Sequence, residues 1–84
     1  MSRKEKLLAR LPQRPKDFTW DELASLLKAM GYVQRKTGKM GGSRRRFVHP
    51  TAPTITLHKP HPSRIVKMYV INDISELLRR EGMI

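Results

Sequence analysis

An 84-residue chain can bury one small core and has no room for a deep cavity between domains, so its function must lie on a surface. Lys and Arg outnumber Asp and Glu by 18 to 7, a formal charge of +11 with His neutral. Self-repulsion on that scale is costly without a counter-charge, which points to a polyanion as partner. There is no cysteine, which excludes disulfides, thiolate metal sites and cysteine nucleophiles. No apolar run approaches a membrane span, so the chain reads as soluble and cytoplasmic, with no membrane partner.

Ser2 and Glu5 have capping-box spacing, and Leu7, Leu8 and Leu11 follow at helical intervals, which predicts a short first helix ended by Pro12 and Pro15. Residues 1–18 are thus a short helix and a charged connection, and residues 19–84 hold the main domain. Thr19 and Glu22 form a second capping box, with Phe18 and Leu23 placed as a hydrophobic staple. Leu23, Leu26, Leu27 and Met30 then recur on one face of a helix that Gly31 terminates. Trp20, in the first turn beside Phe18, reads as packing rather than as a stacking platform.

Tyr32 to Lys36 has the aromatic and β-branched start of a strand, followed by the turn Thr37-Gly38-Lys39-Met40-Gly41-Gly42. The next strand is predicted over Ser43 to His49. If Phe47 faces the core, the period of two puts Ser43, Arg45 and His49 on its side and Arg44, Arg46 and Val48 on the other. Arg45 must then sit near an edge or snorkel out. Thr54 to His58 alternates as a third strand, with Ile55 and Leu57 inward and Thr54, Thr56 and His58 outward. Lys59-Pro60-His61-Pro62 cannot continue a central strand. Val70, Ile71, Ile74, Leu77 and Leu78 make a last helical stripe that Gly82 stops. The fold class is α+β: two helices, three antiparallel strands and a helix, with helices covering one face of the sheet.

The open face would then carry Arg44, Arg46, Thr54, Thr56 and His58, with Lys59 and His61 at its rim. Glycines let a backbone approach a ligand closely, and arginine forks suit phosphate. The stretch from Gly41 to Pro50 joins such a turn, three cations and a core anchor, so it reads as a nucleic-acid-binding strand. Gly42, Ser43, Arg44, Arg45, Arg46 and Lys59 are the candidate RNA contacts. Phosphate contacts of this kind give salt-dependent affinity with little sequence information.

Cleaving RNA without a metal needs a proton acceptor for the 2′-hydroxyl, a proton donor for the leaving oxygen, and cations for the charged phosphorane; histidine suits the first two tasks. His58 is the best placed of the three histidines, His61 stands second, and His49 falls on the side of Phe47. His58 and His61 are a weak metal set without acidic or thiol partners. The glycines around Lys39 lack the spacing of a nucleotide-binding loop, and paired carboxylates are missing. No cofactor is expected.

These features together resemble the HicA family of type II toxin-antitoxin systems, over roughly Leu23 to Met83. The matching residues are Met30-Gly31-Tyr32 at a helix end, the Gly42-Ser43 turn, Phe47 followed by His49-Pro50, then His61-Pro62, and a last helix ending in Glu81-Gly82-Met83. The resemblance implies a fold like a double-stranded-RNA-binding domain (αβββα), here with an extra short N-terminal helix. It also implies an mRNA-cleaving toxin held inactive by a HicB-type antitoxin. The family usually has a catalytic histidine directly after Gly-Ser or one residue later; Arg44 and Arg45 stand there, and arginine stays protonated. Either His58 or His61 supplies the proton transfer, or the protein is a non-catalytic RNA-binding module or a ribosome-associated basic protein.

Overall fold

The computed structural model describes residues 3–13, 16–36, 44–60 and 62–84. The first helix, α1, spans Arg3–Arg10 and passes into a 3-10 turn over Leu11–Gln13. The α-helical pattern stops before Pro12, which has no backbone N–H to continue it. Ser2, half of the expected first capping box, lies outside the described residues. Leu7 and Leu11 are buried in the same cluster as residues of the main domain. Arg10 secures this N-terminal segment: it pairs with Glu22, donates to Asp17 at 2.8 Å, and stands 5.1 Å over the Phe18 ring.

Helix α2, Trp20–Ala29, begins at the predicted capping box. The Glu22 backbone N–H donates to Thr19 Oγ1, and the Glu22 carboxylate accepts from the Thr19 backbone N–H, each at 3.1 Å. Phe18 and Leu23, the staple pair, are both fully buried. The helix ends at Met30, and Gly31 takes φ 100°, a left-handed conformation that favours glycine.

Three short strands follow: β1 (Val33–Lys36), β2 (Arg44–Val48) and β3 (Ile55–His58), antiparallel in the order β1-β2-β3. Phe47 and Ile55 pair across β2 and β3 and are both buried. Trp20 packs against this core face, its ring 5.8 Å from that of Phe47 and tilted to it, which is the packing role read from the sequence. Helix α3, Met68–Arg80, buries Ile71, Ile74 and Leu78 in the same core and ends before Gly82, whose φ is 72°. Segment 64–66 is bound to the entry of α2 by an isolated antiparallel bridge between Thr19 and Ile65. The result is an α+β fold of the double-stranded-RNA-binding-domain type, with an open three-stranded sheet and an added N-terminal helix. Among the described residues, no helix is long and apolar enough to cross a membrane.

Candidate nucleic-acid interface

The second face of the sheet follows from register. Directly opposed residues in an antiparallel pair point to the same side. Arg44 opposes His58, Arg46 lies between Arg35 and Thr56, and Val33 opposes Val48. Arg35, Arg44, Arg46, Thr56 and His58 are all exposed. The open face therefore carries three guanidinium groups and an imidazole on adjoining strands, with a small apolar row at one end. The strands hold five Lys or Arg and no Asp or Glu, and the guanidinium groups of Arg35, Arg44 and Arg46 have no carboxylate partner among the described residues. Like charges directly opposed across strands are destabilising. Arg35 facing Arg46 is thus an arrangement that an anion would relieve.

Arg44, Arg46, Thr54, Thr56 and His58 are exposed as the alternation predicts, and Lys59 at the rim is exposed too. Arg45 falls on the other face, opposite Leu57 and half-buried, and its guanidinium donates to the Arg44 carbonyl at 2.9 Å. Gly42, Ser43 and His61 lie outside the described residues. Arg35 is the residue that sequence reading missed. Its strand was legible, but only the pairing register places Arg35 beside Arg46.

His49 has a different setting. Its Nδ1 accepts the backbone N–H of Thr51 at 3.1 Å and that of Ala52 at 3.0 Å, which leaves the ring proton on Nε2 to meet the Met30 carbonyl at 3.2 Å. One imidazole thereby caps the end of α2 and shapes the turn after β2. A Cβ on Gly31 would stand 2.9 Å from His49 Nε2, so the absent side chain at Gly31 is what admits the ring. Tyr32 completes this corner. Its ring lies 4.9 Å from His49, and its hydroxyl donates to the Pro53 carbonyl at 3.1 Å. Burial, with the charge of Glu81 second, holds the Tyr32 hydroxyl above the usual tyrosine range.

The class of the domain is thus a helix-backed antiparallel sheet with one uncovered face rich in cations. The chain belongs to the HicA toxin family: the family described as HicA toxin of bacterial toxin-antitoxin matches residues 20–82, roughly three quarters of the chain. Membership makes it a toxin of a toxin-antitoxin system with a cognate antitoxin as partner. No curated protein and no solved structure matches the chain. The matched span begins after α1, so the N-terminal helix packs onto the family's domain from outside it.

Proposed function

We propose that this toxin is a metal-independent endoribonuclease that binds and cleaves mRNA in the cytoplasm, inhibiting translation, and that a HicB-type antitoxin restrains it by covering the cationic face with acidic residues. The observation that supports this reading is the Arg44–His58 cross-strand pair, a guanidinium fork and an imidazole on one exposed surface. Arg35, Arg44 and Arg46, with Lys59 at the rim, hold backbone phosphates, and Gly42 and Ser43 are further candidate RNA contacts. His58 or His61 accepts the 2′-hydroxyl proton. The 2′ oxygen attacks the adjacent phosphorus, the bond to the 5′ oxygen breaks, and a protonated imidazole delivers a proton to that leaving oxygen. The products are a 2′,3′-cyclic phosphate and a 5′-hydroxyl. The guanidinium groups stabilise the extra charge of the phosphorane.

Arg44 at the position where the family usually has its histidine favours a second reading, an RNA binder that blocks translation without cutting. Cleavage of a labelled mRNA in EDTA by the parent, His58→Ala and His61→Ala, with binding measured in parallel, separates the two. The nuclease loses cleavage in one variant while binding survives. Binding without cleavage in the parent establishes the second reading instead.

A further inference from the structure

Beside β3, the outer edge of that strand and the first turns of α3 enclose a groove of about 450 Å³. It is continuous with the cationic face, since Thr56 and His58 border both. The floor is apolar, built from Leu57, Val66 and Val70. Tyr69 lines one wall yet is 63% exposed, an aromatic ring that the fold does not use. Asp73 stands four residues on, one turn along the same helix face, and has no partner among the described residues. Lys59 and Lys67 also line the groove. Two backbone hydrogen bonds tie its base to the entry of α2: the Trp20 backbone N–H donates to the Arg64 carbonyl at 2.7 Å and the Val66 backbone N–H to the Phe18 carbonyl at 2.8 Å.

Resting on the reading that RNA is the ligand of the cationic face, the geometry points to this groove as the seat of one unpaired RNA base that bears an exocyclic amino group. The base stacks on Tyr69, its amino group donates to Asp73, and its flanking phosphates meet Lys59 and Lys67. An apolar slot with few polar groups suits a planar ring. Aromatic side chains are the common platforms for splayed-out bases, whose Watson–Crick edges are then read by side chains. A carboxylate only accepts hydrogen bonds. It therefore takes the exocyclic amino group of adenine, cytosine or guanine, whereas uracil offers it only an N3–H set between two carbonyl oxygens that repel it. An acidic protein strand on the same edge would gain from the lysines but would meet repulsion from Asp73.

The test uses short labelled oligouridylates carrying one central cytosine, adenine or guanine, or none, titrated with the full chain. The parent binds the amino-bearing oligomers more tightly than the all-uracil one. Tyr69→Ala weakens them about tenfold, as loss of one stacking contact requires, and Tyr69→Phe retains the affinity. Asp73→Asn erases the base preference. Thermal unfolding of Tyr69→Ala matches the parent, so misfolding does not account for its loss. If Tyr69→Ala binds every oligomer like the parent while Arg44→Ala with Arg46→Ala weakens all of them, the groove proposal is overturned and the cationic face stands. If the parent binds none of them, the RNA reading itself falls, and the groove with it. Loss of antitoxin binding in Tyr69→Ala with unchanged RNA affinity also overturns the proposal and assigns the groove to protein.

Discussion

The two histidines at the ends of β2 and β3 follow opposite rules although their side chains are the same. His49, just past the end of β2, spends both ring nitrogens on backbone groups of two chain segments and fits only because Gly31 has no side chain. His58, the last residue of β3, is exposed and faces an arginine. One ring holds the fold together, while the other is left available on the surface. The difference teaches that a histidine in a family motif reports on function only after its hydrogen bonds have been counted.

The core face of the sheet is the most sensitive part of the molecule. Phe47→Ala removes the ring that anchors β2 between Trp20 and Ile55, and truncations of this kind cost about 3–5 kcal/mol. That is a large share of the stability of a small domain, so urea denaturation should show a mostly unfolded protein or a much lower midpoint. His49→Ala comes next. It strands the amides of Thr51 and Ala52 and the carbonyl of Met30, at about 2 kcal/mol, whereas His58→Ala should stay within about 0.5 kcal/mol of the parent in the same denaturation series. Equal effects of the two substitutions would remove the distinction between a structural and an available imidazole.

Tyr32→Phe sharpens the structural side and is the smallest of the three losses expected there, after Phe47→Ala and His49→Ala. It deletes the hydrogen bond to Pro53, for about 1 kcal/mol near neutrality. Because the folded state raises the Tyr32 hydroxyl above its usual 10.0, folding binds that proton more tightly than the unfolded chain does. This contribution is complete below the unfolded value and is lost as pH rises through the folded one. Denaturation midpoints followed into alkaline solution should fall less steeply for Tyr32→Phe than for the parent.

The parts of this architecture written in local patterns were legible from the chain. The Thr19 and Glu22 box, the Phe18 and Leu23 staple, and the alternation that turns Arg44 and Arg46 away from Phe47 each depend on neighbours a few residues apart. Arg35 was not legible, because its place beside Arg46 depends on how β1 slides along β2, and the intervening turn does not fix that register. The bonds of His49 were hidden for a related reason, since Met30 is far away in sequence. The groove under Tyr69 depends on how α3 approaches β3 and on the bridge from Thr19 to Ile65, neither of which has a local signature. Likewise, spacing alone could predict the first helix but not its docking through Leu7, Leu11 and Arg10.

The proposal is that the open sheet face binds RNA through Arg35, Arg44 and Arg46. Its most direct test is the salt dependence of single-stranded RNA binding by the parent and by the variant with all three changed to Ala. Removing three phosphate contacts should flatten the log–log slope by about 2, since each contact to single-stranded nucleic acid contributes roughly 0.7, with affinity falling at every salt concentration and the unfolding midpoint preserved. An unchanged slope and affinity in a folded triple variant would contradict the account.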